Sequence, residues 1–186
     1  METNIYKIDP WEIIEEGWDP GKVMGSESIF SIGNGAMGQR ANFEEDFSGK
    51  TFKGSYIGGI YYPDKTKVGW WKNGYPEYFA KVINAPNWIG ISILIDGTPL
   101  DLNKVDKIEK FERKLDMKNG LYERTISINT NNNLKVEIES KRFLSMKRKH
   151  IGAISYNIKC SRDVKITLSP YIDFDVSNDD SNWDEK

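Results

Sequence analysis

The chain has 186 residues, with 26 Lys and Arg against 28 Asp and Glu, one histidine and one cysteine. That length fits one large domain or two very small ones and can bury enough surface to fold without disulfides or a structural metal. Cys160 has no intramolecular partner and His150 is the only histidine, so zinc sites of the His/Cys type and a Ser-His-Asp triad built on any other histidine are excluded. The interspersed charge carries no basic footprint for nucleic acid, and no run approaches the ~20 apolar residues of a membrane helix.

Along the chain, the opening stretch carries Glu2, Asp9 and Glu12 where a secretory signal would have a basic and then an apolar region. A reducing, cytoplasmic setting is therefore expected, in keeping with the free thiol. The best helix candidates, residues 10–17 and 104–115, are short and charged, and the second alternates as readily as it cycles at 3.6 residues. Residues 25–87 hold most of the glycines and many of the aromatic rings, and long loops with aromatic tips are expected there.

Strand signals dominate from residue 89 onward. Ile89, Ile91, Ile93 and Ile95 alternate and run into Asp96-Gly97, a tight-turn dipeptide, which predicts a hairpin through Leu102. Residues 121–130 and 134–142 are two alternating runs joined by Asn131-Asn132-Asn133. In the first, Tyr122, Arg124, Ile126 and Ile128 share a face; in the second, Leu134, Val136 and Ile138 do. Residues 151–160 form a further strand, and Val164, Ile166, Leu168, Ile172, Phe174 and Val176 keep even parity through Pro170. Several strands joined by short turns, each with a polar alternate face, predict an all-β fold: a single-domain antiparallel β-sandwich with few short helical turns.

Each motif has a plain alternative. Gly33-Asn34-Gly35-Ala36-Met37-Gly38 matches the dinucleotide fingerprint, but no apolar helical stripe follows it, so a glycine-lined turn between strands is expected instead. Asp173-Phe174-Asp175-Val176-Ser177-Asn178 starts like a calcium loop, yet its sixth position is Asn178 and its twelfth Asp184; solvated carboxylates at a strand end are expected. Lys147-Arg148-Lys149-His150 reads as a solvated turn. Glu15/Glu16, Glu44/Glu45, Asp64 and Glu77 are too many to single out a glycosidic pair without a separation. The aromatic cluster Trp70, Trp71, Lys72, Asn73 and Tyr75 suits either stacking on sugar rings or packing at an interface, where Tyr and Trp are also enriched.

The residues then point to a family. Gly33-Asn34-Gly35-Ala36-Met37-Gly38-Gln39-Arg40-Ala41-Asn42-Phe43-Glu44-Glu45, and the stretch from Asp64 through Gly69-Trp70-Trp71-Lys72-Asn73-Gly74-Tyr75-Pro76-Glu77-Tyr78-Phe79 to Val82, closely resemble the N-terminal domain of bacterial maltose phosphorylases of glycoside hydrolase family 65. Phe111-Glu112-Arg113-Lys114-Leu115-Asp116-Met117, Arg142-Phe143-Leu144-Ser145-Met146 and Asp173-Phe174-Asp175 continue the likeness in order, so that it covers nearly the whole chain.

The resemblance implies a large antiparallel β-sandwich of the supersandwich, galactose-mutarotase-like kind. Residues 1–186 would form one N-terminal domain, ending inside or near the end of the sandwich, without the catalytic (α/α)6 barrel. The parent reaction it implies is inverting phosphorolysis of maltose to β-glucose 1-phosphate and glucose, with inorganic phosphate as co-substrate and no organic cofactor or metal. The general-acid glutamate belongs to the absent barrel, so no catalytic residue is assigned here. The implied partners are that barrel and a second subunit, with disaccharide bound only by the full enzyme. Trp70, Trp71, Lys72, Asn73 and Tyr75 are expected on a loop that docks on the barrel near the substrate entrance; a free-standing carbohydrate-binding module using Trp70 and Trp71 is the alternative.

Overall fold

Side-chain alternation organises the chain into antiparallel sheets. The computed structural model describes residues 6–66, 74, 76–130 and 132–178. In chain order the elements are β1 (Tyr6–Ile8), β2 (Glu12–Glu16), α1 (Val23–Ile29), β3 (Ile32–Gly33), β4 (Met37–Gln39), β5 (Ser55–Ile57), β6 (Tyr61–Lys65) and β7 (Tyr78–Val82). They continue with β8 (Ile91–Ile95), β9 (Thr98–Pro99), β10 (Lys107–Asp116), β11 (Leu121–Asn129), β12 (Lys135–Leu144), β13 (Gly152–Cys160) and β14 (Ile166–Pro170).

The largest sheet has six strands in the order β1-β2-β10-β11-β12-β13. Its inward face is set by parity: Ile126 and Ile128 of β11 pair with Ile138 and Val136 of β12, and all four are fully buried. Facing it is the three-stranded sheet β14-β8-β9. Ile91, Ile93 and Ile95 of β8 pack with Phe111, Ile126, Ile128, Val136 and Ile138 in one apolar cluster, which makes the architecture a β-sandwich. A second cluster, built on Phe30, Ile32, Ala41, Tyr122 and Leu144, lies where α1 and the small sheet β3-β4-β5 close the other end.

The turns follow their residues. Asp96 and Gly97 sit at φ of 50° and 80°, the two left-handed positions that a two-residue hairpin between β8 and β9 requires. Asn133, at φ of 53°, closes the β11–β12 turn. Gly33 and Gly38 pair across the β3–β4 hairpin, with Gly35 at φ of 80°. Hence the glycine string is a hairpin turn, as expected, and no helix follows it.

Three local features depart from the sequence expectation. Residues 10–17 and 104–115, the nearest to helix in the sequence, contain β2 and most of β10; neighbouring strands claim their alternating positions. The helix among the described residues is α1, over a stretch containing Gly25 and two serines, where propensity gave no signal. Tertiary contacts hold it: Glu27 is fully buried, its Oε2 accepting from Phe52 N at 2.7 Å and its Oε1 from the Thr51 hydroxyl. Finally, the even-parity run after residue 164 is strand only to Pro170, and Leu168, Ile172 and Phe174 are exposed.

Candidate functional site

The predicted aromatic residues Trp70, Trp71, Lys72, Asn73 and Tyr75 lie outside the described residues. The two strands that flank them are described. β6 and β7 pair over five positions, from Tyr61↔Val82 to Lys65↔Tyr78, and Thr66 N donates to Glu77 O at 2.8 Å. Directly opposed residues share a face. One face therefore carries Tyr61, Val82, Pro63, Ala80 and Tyr78, and the other Tyr62 and Phe79 beside the ion pair of Lys81 and Asp64 at 3.6 Å. Tyr61, Tyr62 and Tyr78 are each more than half exposed, and Phe79 and Val82 nearly so. A two-stranded ribbon with large apolar side chains open on both faces is marginal alone in water, and such a surface marks an interaction site.

The strip of residues 39–47 crosses the inner face of the large sheet and brings charge into the core. One row across that face reads Glu15, Arg113, Arg124, Ser140 and Tyr156, each paired with the next on adjacent strands. The adjoining row contains Tyr122 paired with Arg142. Arg113, Arg124 and Arg142 are the bulkiest fully buried side chains in the structure. Three buried carboxylates, Glu15, Glu44 and Glu45, balance them.

The pairs are specific. Arg124 Nη2 donates to Glu44 Oε2 at 2.7 Å and to both oxygens of Glu45 at 2.6 Å. Arg142 Nη1 is 3.3 Å from Glu44 Oε1 and reaches the carbonyl of Asn42 at 3.4 Å. Tyr156 donates its hydroxyl to Glu45. Arg113 Nε lies 2.8 Å from Glu15 Oε2 without hydrogen-bond alignment, while Ser26 Oγ donates to the other oxygen at 2.9 Å. The guanidinium carbons of Arg113 and Arg124 stand 5.4 and 5.0 Å from the Phe43 ring centre.

Burial is the largest influence on these groups and opposes charge on Arg124, but the carboxylates of Glu45 and Glu44 outweigh it and raise its pKa. Burial, then the charge of Glu45, holds the Tyr156 phenol well above its ordinary range. Burial also pushes Glu15 up against the opposing pull of Arg113. The arginines engage all three carboxylates, and through Glu44 and Glu45 the array ties the strip to the sheet. The signal for it was present in the sequence: Arg124 shares the apolar face of Tyr122, Ile126 and Ile128, and an arginine at a core position needs a buried carboxylate partner.

The remaining motif residues are structural. Asn34 Oδ1 accepts from Ala36 N at 3.0 Å and Met37 N at 2.7 Å, and its Nδ2 donates to the carbonyls of Ser145 and Lys149 at 2.9 Å. Residues 147–150 form an exposed turn, as expected. Asp173 is engaged, its Oδ1 accepting from Asp175 N at 3.0 Å and its Oδ2 lying 3.3 Å from Lys53 Nζ.

Two clefts flank the Asp46–Asp101 bridge. The larger, about 480 Å³, has an apolar floor of Ile95, Leu100, Val105 and Leu134 under a charged rim. Its rim charges are mutually engaged: Asp101 pairs with Lys104 at 3.1 Å, and Asp96 with Arg162 at 3.8 Å. The smaller, about 240 Å³, lies between residues 42–53, Asn87 and Tyr171. Among the described residues no cluster of His, Cys, Asp and Glu is arranged to hold a metal ion, and no helix is long and apolar enough to cross a membrane.

Comparison with known proteins gives this architecture its relatives. The family model for the N-terminal domain of glycosyl hydrolase family 65 matches residues 13–186. The chain is 46% identical to maltose phosphorylase of Bacillus subtilis (strain 168) over 187 aligned residues, covering 100% of this chain and 24% of that protein. It is 34% identical to alpha,alpha-trehalose phosphorylase of Thermoanaerobacter brockii, covering 94% of this chain and 23% of that one. A solved structure assigned to the kojibiose phosphorylases, from the human microbiome, superimposes with a TM-score of 0.78 at 36% identity, covering 88% of this chain and 22% of that one. The chain spans less than a quarter of the length of these relatives.

Proposed function

Since the chain belongs to glycosyl hydrolase family 65 through its N-terminal domain, we propose that it is the non-catalytic N-terminal β-sandwich of a disaccharide phosphorylase acting on maltose. In this reading residues 1–186 are one domain that packs on a catalytic (α/α)6 barrel and supports a homodimer. The observation that carries it is the 46% identity to a maltose phosphorylase along the entire chain. The exposed aromatic ribbon β6–β7 supports the packing role, because its rings on both faces need cover. Trp70, Trp71, Lys72, Asn73 and Tyr75, in the connection between these strands, are the proposed contact to the barrel near the substrate entrance.

The parent reaction needs a carboxylic acid to protonate the glycosidic oxygen while a phosphate oxygen attacks the anomeric carbon from the opposite face. The carbon–oxygen bond to the leaving glucose breaks, the proton stays on that glucose, and inversion yields β-glucose 1-phosphate. No cofactor or metal enters this scheme, and the acid and the phosphate site lie in the barrel. The setting proposed for the enzyme is cytoplasmic.

The test is an assay of the purified 186-residue chain with maltose and phosphate. No glucose 1-phosphate is expected; phosphorolysis by the chain alone would sink the proposal. Maltose titration followed by tryptophan fluorescence is expected to be flat, and a saturating response lost in Trp71→Ala would favour a free-standing carbohydrate-binding module instead.

A further inference from the structure

We propose that the free edge of β13 pairs with the same strand of a second copy of this chain, antiparallel about a two-fold axis at Tyr156. The inference rests on the backbone of one strand and not on the phosphorylase reading, and it gives a homodimer of the chain a specific contact.

β13 is nine residues long and ends the six-stranded sheet, with β12 on one side and, among the described residues, no strand on the other. Ser161 N donates to Lys135 O and Ser145 N to Ile151 O, both at 2.9 Å, so the odd-numbered positions turn their backbone groups toward β12. The even-numbered positions, Gly152, Ile154, Tyr156, Ile158 and Cys160, turn theirs outward. Among the described residues no backbone bond from another segment reaches those groups. A row of open donors and acceptors along one strand is a template for another.

Other edges of the fold are blunted. β1 and β5 are three residues long, and β9 and β14 contain Pro99 and Pro170. The part of β10 that extends past β2 carries Lys107, Glu109 and Lys110, with a break in register between Ile108 and Lys110. β13 has no proline, no shift in its register with β12, and a single charged residue, Lys159.

The sandwich is also open between its sheets on the outer edge of β14. Leu168 of β14 lies opposite Ile93 and so faces the core side, yet it is 46% exposed while Ile93 is fully buried. Ile154, Tyr156 and Ile158, on the core face of β13, are only half-buried. A second β13 brings apolar side chains to that same face.

The occupant is a second copy because the strand is self-complementary. With full overlap about Tyr156, Ile154 of one protomer opposes Ile158 of its partner, Gly152 opposes Cys160, and Tyr156 opposes Tyr156. These are all positions whose backbone groups point outward, so donors meet acceptors along the whole strand. On the solvent face Ser155 opposes Asn157 and Lys159 opposes Ala153, so no like charges meet. The two-fold axis repeats each pair, as a self-matching contact requires, and joins two six-stranded sheets into one.

The experiment uses the 186-residue chain carrying Tyr61→Ser and Tyr78→Ser, which removes the contribution of the β6–β7 ribbon. Sedimentation velocity is expected to show a reversible monomer–dimer equilibrium. At dimeric concentrations hydrogen exchange is expected to slow about tenfold at the amides of Ile154, Tyr156 and Ile158 and to stay unchanged at Ser155 and Asn157. Ala153→Lys sets a lysine opposite Lys159 twice in each dimer and should weaken association about fivefold, and Ala153→Glu should strengthen it by a similar factor. Adding Lys159→Glu to Ala153→Lys should restore the dimer. Monomer at every concentration, slowing that does not follow the even positions, or Ala153 variants that leave association unchanged would each overturn the proposal. The exchange pattern is read with Ala153 in place, so it decides the matter even where a charged variant fails to fold, and with no maltose present the outcome is independent of the phosphorylase reading.

Discussion

Arg124 and Glu45 stand 79 positions apart in the chain, yet Nη2 of the arginine bonds both carboxylate oxygens of the glutamate at 2.6 Å in the sealed interior of the sandwich. The pair joins the central strand β11 to an irregular strip, and Tyr156 of β13 closes on the same carboxylate. Replacing either partner strands a charge in a medium that cannot solvate it. Arg124→Met is therefore expected to destabilise the fold by about 3–5 kcal/mol, read as a lowered urea midpoint at unchanged slope. A loss below about 1 kcal/mol would mean that Glu44 and Glu45 find other partners.

Asn34 holds the β3–β4 turn with one side chain, accepting from two amides and donating to two carbonyls more than a hundred residues away. Asn34→Ala removes the partner of four part-buried backbone groups and should cost about 1–3 kcal/mol. Faster hydrogen exchange at the Ala36 and Met37 amides is the specific signature; unchanged protection there would refute the role.

Glu123 lies on the outer face of the large sheet, 2.9 Å from Lys114 Nζ and 2.6 Å from Lys141 Nζ. The hydrogen bonds of Lys141 and Lys114 hold its carboxyl below the usual range. A depressed carboxylate stabilises the fold above its unfolded pKa, and that contribution disappears as the pH falls through the folded value. Because Lys141 is about half exposed, screening limits the effect to about 1 kcal/mol or less. Wild type and Glu123→Gln should thus differ in urea midpoint near neutral pH and converge in acid below the carboxylate range. A difference that persists there would assign the effect to packing.

Tyr61 and Tyr78 face the same side of the ribbon, and each is about half exposed, at 52% and 51%. With that surface uncovered, the chain is expected to self-associate with rising concentration. The double variant Tyr61→Ser and Tyr78→Ser should shift sedimentation velocity toward monomer without lowering thermal stability by more than about 1 kcal/mol. Association unaffected by the variant would move the interface elsewhere.

Much of the sandwich is visible in local pattern because strand alternation is a short-range property. The parity of Tyr122, Arg124, Ile126 and Ile128 predicts the buried face of β11, and Asp96-Gly97 and Asn133 mark turns by their tolerance of left-handed backbone. The long strings around Gly33 and Asp64 carry the family likeness in the sequence itself.

Other features depend on which distant segments meet. Helix α1 has weak propensity and exists because Glu27 reaches Thr51 and Phe52. β2 pairs with β10, not with a neighbour on its C-terminal side, and only that register sets Glu15 opposite Arg113. Nothing in the sequence singles out Glu44 and Glu45 among its many carboxylates; the crossing strip carries them onto Arg124. The cleft at Asn87 likewise joins residues from four separate parts of the chain: 42–53, Asn87, Asp101 and Tyr171. Sequence by itself determined strand, turn and family, since these rest on a period of two and on contiguous strings. Tertiary structure alone decided the charge pairing and the clefts, because a buried ion pair is defined by what the rest of the chain brings within about 3 Å of it.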